Sequence, residues 1–179
     1  MEHFPHSDPP KPEELTTCRQ WVKQFLQREV QPRLEPEMRR QVNERIEARG
    51  AEREKDAGKS GSSRGSAFLL IGTGGTATIL ARMEGRLDNF DRVLIEAVRL
   101  SYERVRWRVD SLWRMPLAQR KQILGLPANR ADVILTGVLI YEAVMELFDF
   151  SELRVSTRGL RFAAVLDEAA ETVLPHKRD

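Results

Sequence analysis

The residues whose types and spacing best suit chemistry are Gly72, Thr73, Gly74, Gly75 and Thr76. The apolar run Phe68-Leu69-Leu70-Ile71 leads into them, and the helix-compatible run Ala77-Thr78-Ile79-Leu80-Ala81 follows. Glycine permits tight turns and close backbone approach because it lacks a Cβ. A helix start presents unpaired N–H groups with a partial positive charge, which suits phosphate. Thr73, Thr76 and Thr78 add hydroxyls able to donate to the same oxygens. The spacing alone leaves two readings open: a phosphate-binding loop, or an ordinary strand-to-helix turn in which the threonines act as caps. It matches neither the Walker A nor the dinucleotide fingerprint. Gly58-Lys59-Ser60 lacks the upstream glycine spacing and the preceding strand that a P-loop requires.

Other reactive residue types are sparse or badly placed. His3, His6 and His176 lie near the termini, and Cys18 has no second cysteine to join it, so a zinc site is not expected. Cys18 sits on the apolar side of a helical pattern, the setting of a buried, inert thiol. Glu103 and Asp132 read as acids at helix starts rather than catalytic carboxylates. Arg99, Arg104, Arg106, Arg108, Arg114, Arg120 and Lys121 run past Tyr102, Trp107 and Trp113. Such a mixture can hold single-stranded nucleic acid, but on a helix these cations alternate with core positions and read as a solvated face.

The elements that must position the loop follow from hydrophobic pattern. The chain has 179 residues, 41% hydrophobic and 31% charged, with a formal net charge of +2. That fits one soluble domain or slightly more. No run reaches the roughly 20 apolar residues of a membrane helix, the N-terminus lacks a secretory pattern, and a lone cysteine suits a reducing compartment. A cytoplasmic location is therefore expected. Residues 1–34 read as a proline-rich lead-in and an amphipathic helix carrying Leu15, Cys18, Val22, Phe25 and Leu26, with Pro32 discouraging its continuation. Residues 35–66 read as a charged, flexible insert, helical at most over 37–49 and Gly/Ser-rich from Gly50.

Beyond the loop a short helix runs to Glu84 with Gly85 as its stop, and Phe90 to Leu100 suggests another. Ser101 caps a third, and Pro116 opens a short one closed by Gly125. Asn129 and Asp132 resemble a capping box for a buried helix over 130–148. Gly137 within that helix implies the close approach of a neighbour, either a backbone or a ligand. Leu153 to Ser156 reads as a strand, residues 160–172 as a last helix, and residues 175–179 as a tail. Two strands among so many helices make a poor sheet, as though part of it were missing.

Taken together, several runs resemble one family. Gly72-Thr73-Gly74-Gly75-Thr76-Ala77-Thr78 is similar to the glycine/threonine loop in the second domain of the exopolyphosphatase / guanosine pentaphosphate phosphohydrolase (Ppx/GppA phosphatase) family. So are Leu100-Ser101-Tyr102-Glu103-Arg104, the run Gly125 to Ile134 with Gly137, and Val155-Ser156-Thr157-Arg158-Gly159-Leu160-Arg161. His6 to Leu15 resembles the segment that precedes the loop in such proteins. The likeness covers the chain except for the insert at about 35–66, and Phe162-Ala163-Ala164 departs from the usual pattern.

The resemblance implies an α-rich α/β fold: a partial ribonuclease-H-like domain of the actin-like ATPase superfamily with an incomplete sheet, residues 67–174 being the remainder of its second domain. It implies hydrolysis of a phosphoanhydride in polyphosphate or guanosine pentaphosphate with a divalent metal, Mg²⁺. The family's Asp-x-Gly-Ser loop, its Asp-x-Gly-Gly-Gly-Ser loop and its catalytic glutamate do not occur here. On this basis the chain is expected to contribute phosphate-binding residues Gly72, Thr73, Gly74, Gly75 and Thr76, with Arg104, Arg130 and Arg158 as polyanion contacts. No catalytic residue and no metal ligand is recognised, so the chain alone is expected to be inactive. Two further readings stay open: a non-catalytic remnant that binds phosphate-rich ligands, and a sheet edge paired with a second copy or with a missing N-terminal half.

Overall fold

A computed structural model describes residues 6–53, 68–159 and 162. Helix α1 (Pro12–Phe25) starts where Pro12 takes the first helical position. The Glu14 carboxylate reaches back to accept from the N–H of Lys11 at 2.6 Å and from the N–H and hydroxyl of Ser7. The helical chain does not stop before Pro32. A wide turn over Leu26–Val30, with Gln31 N–H bonded to Leu26 C=O, leads straight into α2 (Gln31–Arg53). Proline lacks an amide donor and its ring clashes with the carbonyl four residues back, so it ordinarily breaks a helix. Here the five-residue step lies just before Pro32 and opens the ladder at the point where the ring needs room. The expected boundary at residues 34/35 thus falls inside a helix, and Gly50 belongs to it. Along residues 31–44 none is buried, and Glu37–Arg40 at 2.7 Å is one of several ion pairs along the surface.

Strand β1 (Leu70–Thr73) precedes α3 (Gly75–Gly85). The chain then makes α4 (Arg92–Ala97), β2 (Arg99–Ser101), α5 (Tyr102–Trp113) and α6 (Leu117–Arg120). A single 3₁₀ turn, Ala128–Arg130, precedes α7 (Ile134–Leu147), and β3 (Glu152–Ser156) follows. The sheet has three strands in the order β1-β3-β2, β1 parallel and β2 antiparallel to β3. The expected helix over 90–100 therefore stops at Ala97. Leu100 lies opposite Leu153 with both fully buried, and Ser101 must be extended to accept from Arg104 N–H as the cap of α5.

Three other boundaries moved. α3 ends with Gly85 still helical, and the left-handed residue is Arg86 at φ 52°. The capping box at Asn129 and Asp132 is not formed. α7 begins four residues later than expected, behind the tighter turn that Pro127 opens, and Asp132 accepts from Val133 N–H at 2.9 Å. The short helix opened by Pro116 does not run to Gly125: α6 stops at Arg120 and turns follow, while Gly125 itself takes φ +87° where a Cβ would stand 2.6 Å from backbone atoms of Arg82 and Met83. The expected last helix lies outside the described residues except for Phe162. Most of the Gly/Ser-rich stretch and the tail also lie outside them.

One sheet face carries Leu70, Gly72, Leu153 and Val155 inward against α3, and α3 in turn packs on α7. α5 and α1 pack on the other sides of α7. The core therefore centres on α7, which is apolar on most faces, with Val138 and Leu139 fully buried. The opposite sheet face presents Leu69 and Ile71, 47% and 54% exposed. Among the described residues β1 pairs on one side only, leaving its other edge open.

Candidate functional site

The loop Gly72–Thr76 stands at the C-terminal edge of the parallel β1/β3 pair, where open α/β sheets place their ligands. Gly74 takes φ +85°, which only glycine adopts without strain, and caps α3 with no side chain over it. A Cβ at Gly74 or Gly75 would meet nothing within 4 Å, so the mouth is open. The first helical bond runs from Thr78 N–H to Gly74 C=O at 3.1 Å. The N–H groups of Gly75, Thr76 and Ala77 accordingly have no partner inside the helix. The array can receive an anion through backbone donors and the α3 dipole.

Two contacts from α7 hold the loop. Gly137 answers the question its sequence position posed: the neighbour is a side chain. A Cβ there would lie 2.8 Å from Thr76 Oγ1 and 2.9 Å from its Cγ2. One turn on, the Tyr141 hydroxyl donates to Thr73 C=O over a long 3.4 Å. Its ring crowds position 72, where a Cβ would meet both the ring and Ala77 at 3.0 Å and one of them would have to give way. Burial pushes the Tyr141 hydroxyl pKa up, which keeps it a neutral donor. Tyr141 escaped the sequence reading, although its signal, a polar-tipped residue four after an in-helix glycine, was visible.

The candidate cations do not all converge. Arg158 follows β3 just beyond Ser156, the register partner of Thr73, and so lies at the same sheet end as the loop. Its guanidinium sits 5.4 Å from the Phe162 ring centroid. Beside it the Glu96 carboxylate accepts from Thr157 N–H at 2.9 Å and from the Thr157 hydroxyl, which lowers the Glu96 pKa. Nothing local in the sequence marks Glu96, because its partner is 61 residues away. Arg104 lies elsewhere: Ser101 pairs with Glu152 at the opposite sheet end, and Arg104 binds Glu84 at 2.7 Å near the far end of α3. Eleven residues of helix place that point roughly 15 Å from the mouth. Arg130 sits on the 3₁₀ turn before α7.

The basic and aromatic run over 99–121 does not form one surface. Arg108, Trp113 and Arg120 are buried, and Arg104 and Arg108 share Glu84 while flanking the Trp107 ring. Among the described residues no three of His, Cys, Asp or Glu gather to hold a metal ion. The described residues therefore offer no carboxylate cluster that fits Mg²⁺. Nor is any described helix long and apolar enough to cross a membrane.

Solved structures share this arrangement. A Ppx/GppA family member from Aquifex aeolicus superposes with a TM-score of 0.70 at 23% identity, over 97% of this chain and 46% of its own. The PPX-GPPA enzyme of Aquifex aeolicus gives 0.65 at 24% identity, over 92% of this chain and 44% of its own. An exopolyphosphatase from Cytophaga hutchinsonii gives 0.61 at 18% identity, over 94% and 45%. The chain thus spans under half the length of the solved structures it matches. At these identities the likeness shows the fold, an α-rich part of the actin-like ATPase architecture. No curated protein matches the chain. The Ppx/GppA phosphatase family matches it over residues 1–171, and the chain belongs to that family.

Proposed function

We propose that this chain supplies one wall of a phosphoanhydride hydrolase site, holding a terminal phosphate of polyphosphate or guanosine pentaphosphate at the β1–α3 loop. The observation that carries the reading is the open mouth at Gly74 and Gly75, with three N–H groups lacking helical partners at the C-terminal sheet edge. Phosphoryl transfer is mostly positioning and charge neutralisation, so a wall that only cradles phosphate is a meaningful part. In this reading Gly72, Gly74 and Gly75 give the approach, and Thr73 and Thr76 give backbone and hydroxyl contacts. Arg158 adds charge at the same end, while Arg104 and Arg130 reach only a longer polyanion. Residues 67–174 then form the remainder of an actin-like second domain, with residues 35–66 an insert upon it.

The open β1 edge and the exposed Leu69 and Ile71 support a second part of the reading: catalysis needs another polypeptide segment laid against this sheet. Incubation with Mg²⁺ and either substrate is expected to give binding but no turnover. Gly75→Glu, which puts a like charge in the mouth, is expected to remove that binding. Normal turnover by this chain alone would refute the need for a second wall. Unchanged binding by Gly75→Glu would refute the loop.

A further inference from the structure

β3 ends at Ser156, opposite Thr73 of the loop, and beyond it the ladder stops. The Thr157 N–H and hydroxyl both donate instead to one oxygen of Glu96, Oε1, the N–H at 2.9 Å. Arg158 N–H turns back to Ser156 Oγ at 3.2 Å, and Phe162 N–H closes on Gly159 C=O at 2.9 Å. Among the described hydrogen bonds of residues 157–159, only those to Glu96 reach another element. Antiparallel β2 starts at Arg99, opposite Arg154, so the end of α4 just before it lies at the loop end of the sheet. Ile95, fully buried, fixes α4 against α3 and β3, and Glu96 C=O accepts from Arg99 Nη1 at 2.7 Å. The anchor is thus itself held. The Arg158 guanidinium lies on the Phe162 ring and makes no ion pair among the described residues, which leaves its donors unspent.

We propose, on the phosphate reading above, that Glu96 is a positioning residue for the β1–α3 mouth: it pins Thr157 and so sets the turn from which Arg158 meets a bound phosphate. Hydrogen bonds to an ionised carboxylate are roughly twice as strong as neutral ones, and Glu96 directs two of them at a single residue. Arg158 and Arg92 stand close enough to favour its charged form as well. By charge alone a carboxylate at this end of the sheet opposes an anion. Its two bonds act the other way. Without them Arg158 would sample many positions, and a ligand would bear the cost of ordering the turn. Charge and positioning therefore predict opposite signs when the side chain is removed.

The test is binding of inorganic tripolyphosphate to the whole chain, with hydrogen exchange at the Thr157 amide read in parallel without ligand. Arg158→Gln is expected to weaken binding about tenfold, the effect of one charge-assisted bond. Glu96→Ala is expected to weaken it by a similar factor although it removes a like charge, and to add nothing further in the Arg158→Gln background. Glu96→Gln keeps the acceptor oxygen and is expected to bind within about twofold of the parent. Thr157 exchange is expected to speed about tenfold or more in Glu96→Ala. Should Glu96→Ala not fold, Thr157→Val removes only the hydroxyl donor and is expected to weaken binding several-fold. Equal or tighter binding by Glu96→Ala (or by Thr157→Val in its place), losses that add to that of Arg158→Gln, or unchanged Thr157 exchange would overturn the proposal. Unchanged binding by Gly75→Glu counts instead against the mouth, and the exchange rate then decides by itself whether Glu96 holds the turn.

Discussion

The Gly137–Thr76 contact can be broken and repaired. In Gly137→Ala the new methyl meets Thr76 Oγ1 at 2.8 Å and Cγ2 at 2.9 Å, closer than such atoms tolerate. Overpacking of this kind costs about 1–3 kcal/mol. Alanine is also the better helix residue by about 1 kcal/mol, which offsets part of that loss. A net destabilisation of about 1 kcal/mol is therefore expected. Thr76→Ala removes both crowding atoms and leaves the Thr76 Cβ position 3.4 Å away, an ordinary contact. In that background Gly137→Ala should stabilise by up to about 1 kcal/mol. The coupling is then about 2 kcal/mol, well above the roughly 0.5 kcal/mol scatter of independent sites. Urea unfolding of the four proteins, read as midpoints at unchanged slope, measures it. Additive effects, or a neutral Gly137→Ala in the parent, would refute the claim that Thr76 is why α7 carries glycine here.

Three other outcomes follow from the same contacts. Arg19→Met leaves the buried Glu142 carboxylate unpaired and is expected to cost about 3 kcal/mol, whereas replacing both residues with methionine is milder, as denaturant melts would read. Cys18 is fully buried with its thiol pKa pushed up to about 11, so at pH 8 roughly one thiol in a thousand is ionised. An alkylating reagent should label it only in denaturant, and rapid labelling of the native chain would count against that burial. The Glu14 pKa is lowered chiefly by the Lys11 N–H, and that of Glu96 chiefly by the Thr157 hydroxyl. A depressed folded pKa means that each contributes stability in full above the unfolded value, about 4.3, and loses it as pH falls through the lower folded value. Carboxyl resonances of both should titrate below the ordinary glutamate range, and midpoints at or above it would contradict these contacts.

The sequence by itself determined the local grammar around the loop. An apolar run, a glycine/threonine loop and a helix former specify strand, turn and helix, because glycine conformation and hydrophobic period act within a few residues. The same holds for Pro12 at the start of α1 and Ser101 as the cap of α5. The order of these local signals also sufficed for the family resemblance.

Only the tertiary structure decided what depends on distant partners. Leu100 is a strand residue because Leu153 and Val155 offer it a buried sheet face, a gain that outweighs its place in a helical pattern. Pro32 does not end a helix, because one wide turn absorbs its ring. Glu96, Tyr141 and the Arg19–Glu142 pair join residues 61, 68 and 123 positions apart, and no local pattern encodes such pairings. Arg104 and Arg158 look alike in sequence, yet antiparallel β2 sends one to the far end of the sheet and β3 delivers the other beside the loop. Residue type sets what a side chain can do. Strand direction and packing set which side chains are close enough to do it together.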